Sequence, residues 1–189
     1  MEITRTLYVP DRAGWRAWLQ EHYRTEPDVW LVYYRRESGR PRVGYNDAVE
    51  EALCFGWIDS VVKPLPGVPG ARAQRFTPRR PGSQLSETNK ARVRRLVEEG
   101  RMTKAGLAAL AGHPDALVPA PLRVAPDVRR ALQAEPGAWR NFEAFPEAYK
   151  RIRLGWIEGA RGRPEVFARR LRHFVRMTAQ GKRYGMVRA

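Results

Sequence analysis

The chain is poor in the residues that build disulfides and transition-metal sites. Its 189 residues include one cysteine, Cys54, and three histidines, His22, His113 and His173. A single cysteine excludes an intramolecular disulfide, and the scattered histidines lack the Cys/His spacing of a zinc site. We therefore expect no bound metal. The lone thiol lies on an apolar helix face, which predicts a buried, inert cysteine in a cytoplasmic protein.

Long apolar runs and the fingerprints of common catalytic or cofactor motifs are also missing. No run approaches the roughly 18 apolar residues that cross a bilayer, and no basic-then-apolar leader is expected. There is no Gly-x-Ser-x-Gly elbow, no Gly-x-x-x-x-Gly-Lys phosphate loop and no dinucleotide fingerprint. We therefore expect no membrane span and no cofactor, and a binding protein is favoured over an enzyme.

Lysine is scarce as well, because 30 of the 35 basic residues are arginine. The net charge of +15 is uneven: residues 1–71 carry 9 basic and 10 acidic residues, residues 72–139 carry 13 and 6, and residues 140–189 carry 13 and 4. A neutral first third and a basic remainder favour an anionic partner, either a small molecule or a polyanion such as nucleic acid. The codon bias of a GC-rich genome is an alternative source of the arginine excess.

The spacing of apolar residues predicts an α+β fold. Strands over 29–34, 57–62 and 72–77 are expected to form an N-terminal unit with a small, mostly antiparallel sheet and helices. An all-helical C-terminal segment follows. Capping residues and prolines mark the expected helix starts at Asp11, Asn46, Ser86, Thr103, Pro126, Pro146 and Pro164.

Composition divides the chain into four predicted segments. Residues 1–112 are expected to form the α+β domain, and residues 113–125, rich in proline, a linker. Residues 126–182 are predicted to be helical, and residues 183–189 to be a basic tail. The sequence does not indicate an oligomeric state.

Asp59 is the acidic residue with the most specific surroundings. Strand alternation places Trp57 and Asp59 on one face of a predicted strand. One interpretation is a structural ion pair with Arg75 or Arg79, which is the commoner arrangement. The other is a polar group in a ligand pocket, where Asp59 acts as the acid/base of a small cofactor-free enzyme. The adjacent acids at 50–51 and 98–99 are predicted to lie on solvated helix faces.

The most informative segment is a basic loop stiffened by proline and glycine that ends at a predicted helix start. Guanidinium forks together with the free N–H groups of a helix N-terminus are suited to phosphate or carboxylate binding. The alternative is that these arginines pair with Asp59, Glu87 and Glu98 or lie in solvent. The predicted ligand-binding residues of this loop are Arg75, Arg79, Arg80, Ser83, Ser86, Asn89 and Lys90, with Trp57 and Asp59 as its floor.

A second basic group lies on the last predicted helix, at Arg169, Arg170, Arg172 and Arg176. Such a helix can lie against nucleic acid or an acidic membrane surface. An ordinary amphipathic helix with an arginine-bearing outer face is favoured, because Leu171 interleaves as expected for packing.

Several segments together resemble the YdeI/OmpD-associated (OmdA-like) family of bacteriocin-protection proteins. They are residues 51–59 (EALCFGWID), 75–83 (RFTPRRPGS), 89–102 (NKARVRRLVEEGRM), 155–158 (GWIE) and 168–170 (ARR). The resemblance implies a bacterial, cytoplasmic protein associated with stress or antimicrobial resistance, and a helical OmdA-type module at the C-terminus. It implies no particular reaction, cofactor or catalytic residue. Leu85 stands where relatives often have a tryptophan, so the resemblance does not imply aromatic stacking there.

Three functions follow as hypotheses. The leading one is a non-enzymatic protein that binds an anionic ligand through the arginine loop. The alternatives are a small enzyme that uses Asp59 and a nucleic-acid-binding protein with a continuous basic face.

Overall fold

The structure is a computed structural model that describes residues 2–185. The first part contains four strands among the helices, and the residues described after 87 are mostly helical. This confirms the predicted α+β class. The strands are β1 (Thr6–Leu7), β2 (Val29–Tyr33), β3 (Trp57–Pro64) and β4 (Arg72–Pro78). The helices are α1 (Arg12–His22), α2 (Tyr45–Cys54), α3 (Glu87–Glu98), α4 (Lys104–Ala108), α5 (Pro114–Leu117), α6 (Pro126–Ala134), α7 (Ala138–Ala144), α8 (Glu147–Glu158) and α9 (Pro164–Ala179), with a 3-10 turn over Arg36–Ser38.

The four strands form one sheet in the order β1-β2-β4-β3. Strand β1 runs parallel to β2, and the other two pairs are antiparallel. Tyr33 pairs with Arg72 at one end of the sheet, while Trp57 pairs with Pro78 at the other end. The sheet therefore has two ends that present different loops.

The residues fall into two compact units. The first consists of residues 1–84 and 92–117, and the second of residues 85–91 and 118–189. In the first unit, helix α1 packs against the sheet through Trp15, whose ring lies 5.2 Å from that of Phe76. The Trp15 Nε1 also donates to the Ala48 carbonyl of α2 at 2.9 Å. Helix α1 therefore packs against both the sheet and α2, because apolar side chains at helical spacing need a buried partner face.

The second unit has a separate helical core. It is built from the buried side chains Val128, Leu132, Ala138, Phe142, Tyr149, Leu154, Ile157 and Phe174. Pro126 and Pro164 each stand at the first turn of a helix, as predicted.

Several local predictions were wrong. Helix α2 begins at Tyr45 after Gly44, so Asn46 lies inside the helix and not at its cap. The proline-rich residues 113–125 contain the short helix α5, where no helix was predicted. Strand β1 was missed because two residues carry too little alternation to be recognised. Of the basic tail, only residues 183–185 lie within the described part of the chain.

No helix within residues 2–185 is both long and apolar enough to cross a membrane.

Candidate functional site

The predicted arginine loop follows β4, but its first arginine already has an acidic partner. Arg75 Nε and Nη2 donate to Asp28 Oδ2 at 2.7 and 2.5 Å. Thr4 also donates to Asp28, at 3.0 Å. The expected pair between Arg75 and Asp59 is therefore wrong, because the sheet register places Arg75 opposite Trp30, near Asp28.

Arg79 has a different environment. Its Nη2 donates to the Ser83 carbonyl at 2.9 Å, to Ser83 Oγ at 3.1 Å and to the Gln84 carbonyl at 3.4 Å. Its Nε is buried without a hydrogen-bond partner in the part of the chain that the structure describes. Burial lowers the pKa of Arg79. Among the described residues of the first unit no carboxylate pairs with it, so the expected pair with Asp59 is wrong here too.

The other residues of the predicted loop are divided between the two units. Arg80 is exposed, and Ser83 is held by Arg79. Ser86, Asn89 and Lys90 belong to the second unit. There Ser86 Oγ accepts from the Asn89 N–H at 3.3 Å, which confirms the predicted cap of α3. Lys90 bonds Glu87 at 2.6 Å.

Trp57 does not line an open floor. Its side chain is buried, its Nε1 donates to the Tyr23 carbonyl at 3.1 Å, and its ring packs edge-on against Trp18 at 5.9 Å. A buried indole whose N–H is already bonded is part of the core. The expectation that Trp57 shapes a ligand pocket is therefore wrong.

Asp59 lies in a polar cluster on the sheet. Its Oδ2 accepts from Gln74 Nε2 at 2.7 Å and from the Tyr45 hydroxyl at 3.2 Å. Asp59 is paired across the sheet with Phe76, and Gln74 is two residues further along β4 on the same face, which explains the contact. Burial raises the pKa of Asp59, even though Tyr45, Arg92 and Gln74 oppose that shift.

The raised pKa of Asp59 gives a pH dependence with a definite sign. The folded chain binds this proton more tightly than the unfolded chain, so stability is lost as pH rises through the folded pKa. Asp59→Asn removes the titrating group and with it this loss of stability. We expect the free energy of unfolding of the variant, measured with urea and compared with that of the unchanged chain, to increase between pH 4 and pH 7. Glu98→Gln, at an exposed position, is the control. A pH-independent difference for Asp59→Asn contradicts the prediction.

The adjacent acids of α2 correct another prediction. Glu50 and Glu51 are buried, where solvated positions were predicted. Glu51 accepts from Arg12 Nε at 2.5 Å, from Arg16 Nη1 at 2.6 Å and from Arg101. Two guanidinium groups of α1 and that of Arg101 thus replace the water that the Glu51 carboxylate loses on folding.

Cys54, three residues after Glu51, is buried as predicted. Burial raises the pKa of its thiol to about 11. A thiol that stays protonated at neutral pH is a poor nucleophile.

A further group of basic residues, which was not predicted from the sequence, lies at the opposite end of the sheet from Arg79. These basic residues lie near the strand ends at which Tyr33 of β2 and Pro64 of β3 both pair with Arg72 of β4. A signal was present, because basic residues flank all three strand ends, but the pairing that unites them is not visible in the sequence. These residues are Arg35, Arg36, Arg42, Lys63 and Arg72, around a cavity of about 830 Å³.

In the second unit, Arg170 lies over the Trp156 ring at 4.4 Å and donates to the Trp156 carbonyl. Arg169, Arg172 and Arg176 are exposed at helical spacing on α9. Arg170 therefore packs within the second unit, as expected for an amphipathic helix, and its guanidinium covers an aromatic ring.

Two family models match the chain. Residues 7–109 match the domain of unknown function DUF8412. Residues 121–181 match the OmdA family, described as "Bacteriocin-protection, YdeI or OmpD-Associated". The resemblance to that family is confirmed over this C-terminal part, while the resembling segments at 51–59, 75–83 and 89–102 lie in the range of the first model. No curated protein and no solved structure matches the chain.

Proposed function

The chain belongs to the family of the domain of unknown function DUF8412, and on this premise we propose that it is a non-enzymatic protein that binds an anionic ligand. The match of residues 121–181 supports a bacterial role in stress or bacteriocin protection. The excess of arginine supports an anionic ligand. The cytoplasmic location stays a prediction.

Arg79 carries this proposal. A cation taken from water normally acquires a carboxylate partner, because burial of an unpaired charge is costly. In the first unit as described, Arg79 has only backbone and hydroxyl oxygens on Nη2, and its Nε is unpaired. An anion would supply the missing charge and acceptor. The exposed Arg80 beside it adds a second guanidinium.

Paired substitutions test this assignment. Arg79→Ala/Arg80→Ala should weaken the binding of the preferred anion by about tenfold or more, because each charge-assisted hydrogen bond contributes on the order of 1.5–3 kcal/mol. Titration calorimetry with nucleotides, polyphosphate and nucleic acid at two salt concentrations identifies that anion. Arg130→Ala/Arg140→Ala removes the same charge from exposed positions in the second unit. Equal affinities for every anion in the two variants would reject the arginine-loop site.

The enzyme alternative has one supporting observation, the raised pKa of Asp59 beside the Tyr45 hydroxyl. A pKa above the ordinary carboxyl value is the direction that a general acid requires. If Asp59→Asn binds the ligand normally but loses turnover of a substrate, the enzyme hypothesis replaces the binding hypothesis.

The nucleic-acid alternative is supported by the exposed Arg169, Arg172 and Arg176 of α9. It predicts an affinity for single- or double-stranded oligonucleotides that falls steeply with salt, with a slope that decreases when these arginines are replaced.

A further inference from the structure

The cavity of about 830 Å³ at the far end of the sheet is lined entirely by residues of the first unit. Its walls come from the end of β2, the 3-10 turn, the end of β3 and the start of β4. A volume in this range matches a small-molecule site. About 20 Å separates it along β4 from Arg79, given the usual rise of a strand.

The charge of the lining is strongly one-sided. Five cationic side chains line the cavity, and Glu37 is its one carboxylate among the described residues. Within the first unit as described, Arg35, Arg36 and Arg72 form no ion pair with any carboxylate. The buried acidic side chains Glu50 and Glu51 of this unit pair with other arginines. The lining therefore carries an excess of positive charge over the single carboxylate of Glu37.

Two of these arginines contact nearby backbone. A Cβ added to Gly70 would lie 1.4 Å from the Nε of Arg35. The Arg35 side chain therefore occupies the space that the side chain of any other residue at position 70 would need. Gly70 also has φ +76°, which favours glycine. Arg42 Nη1 donates to the Tyr34 carbonyl at 2.8 Å. Arg42 is thus positioned by a hydrogen bond before any ligand arrives, which lowers the entropic cost of binding.

Tyr33 provides an independent observation. It lines the same cavity, and its hydroxyl oxygen is buried without a hydrogen-bond partner in residues 2–185. Buried hydroxyl groups are normally bonded, so the orphaned hydroxyl of a residue that lines the cavity is a donor that lacks an acceptor. Burial raises the pKa of Tyr33, so the hydroxyl stays protonated. It can therefore donate a hydrogen bond to an acceptor.

We propose that this cavity binds a small molecule that carries at least two linked phosphate groups, with Arg35, Arg36, Arg42 and Arg72 on the phosphate oxygens and the Tyr33 hydroxyl as a further donor. Four guanidinium groups carry more positive charge than one orthophosphate neutralises, and a cavity of about 830 Å³ is larger than a single phosphate group requires. This site is separate from the Arg79 loop and does not depend on it.

Sodium tripolyphosphate and orthophosphate are suitable probes for titration calorimetry on the full chain. The unchanged chain should bind tripolyphosphate at least about tenfold more tightly than orthophosphate. Arg36→Ala/Arg72→Ala should weaken tripolyphosphate binding by about tenfold or more. The charge-matched control Arg130→Ala/Arg140→Ala should change it by less than about threefold. Equal losses in the two variants, or no preference for tripolyphosphate, would overturn the proposal.

Tyr33→Phe separates ligand binding from folding. It should weaken tripolyphosphate binding by about threefold or more, because one donor is lost. It should leave stability unchanged or raised, because the hydroxyl has no partner in the free protein. Unchanged affinity would exclude the hydroxyl from the site. Loss of tripolyphosphate binding in Arg79→Ala/Arg80→Ala but not in Arg36→Ala/Arg72→Ala would assign the anion to the loop and overturn this site.

Discussion

Glu51→Ala is expected to lower the free energy of unfolding by about 3–5 kcal/mol, the range for removal of one partner from a buried ion pair. Glu51 has no exposed surface, and its two carboxylate oxygens accept from Arg12, Arg16 and Arg101. Its removal leaves three guanidinium groups around a vacated space. Arg12 keeps two other acidic partners, Asp47 at 2.9 Å and Glu50 at 3.1 Å, and Arg101 keeps a longer ion pair with Glu99 at 3.6 Å.

Two further variants separate charge from shape at this position. Glu51→Gln preserves the volume and one acceptor oxygen, so its loss should be smaller than that of Glu51→Ala. Glu98→Ala removes an exposed carboxylate from α3 and should change stability by less than about 0.5 kcal/mol. Urea unfolding followed by tryptophan fluorescence is a suitable measurement, since Trp15, Trp18, Trp30 and Trp57 all lie in the first unit. Similar losses for Glu51→Ala and Glu98→Ala would contradict a stabilising network.

Gly106→Ala should destabilise the first unit by about 3 kcal/mol, near the upper end of the usual range for overpacking. A Cβ at this position of α4 would lie 2.2 Å from the Cys54 carbonyl oxygen and 2.9 Å from that of Leu53. Both are backbone atoms, which cannot rotate away as a side chain would. The same carbonyl of Cys54 accepts from the Thr103 N–H at 3.1 Å and from Thr103 Oγ1 at 2.7 Å, so α4 is fixed against the end of α2.

Gly112→Ala is the matched control. No atom lies within 4 Å of a Cβ at Gly112, and its φ is not in the left-handed region. The same substitution there should change stability by less than about 1 kcal/mol, in the stabilising direction. Equal stability of the Gly106→Ala and Gly112→Ala proteins would show that α4 moves away from α2 at little cost.

The two proposed anion sites lie at opposite ends of one sheet, and this makes them separable by experiment. Arg79 follows the end of β4, while Arg72 begins it. Substitutions at one end of the sheet leave the strand pairing at the other end unchanged. Arg79/Arg80 and Arg36/Arg72 can therefore each be replaced and tested for binding of the same anion. Ligand binding at either end stays a proposal.

The sequence alone determined the features that depend on local periodicity and on residue chemistry. Apolar spacing predicted β2, β3 and β4, and the capping residues Asp11, Ser86 and Thr103 marked helix starts correctly, because each cap bonds within its own turn. The C-terminal family resemblance and the burial of Cys54 were also visible in the sequence.

Only the tertiary structure decided which charges meet. Arg75 pairs with Asp28, 47 positions away, and not with Asp59, because the strand register sets that neighbour. Glu51 is buried among arginines from residues 12, 16 and 101, although an acid on a helix normally suggests solvent. Charged side chains pair through space over long sequence separations, and the polar character of a residue does not reveal its partner. Local patterns therefore predicted the elements, whereas the functions of the arginines depended on the fold.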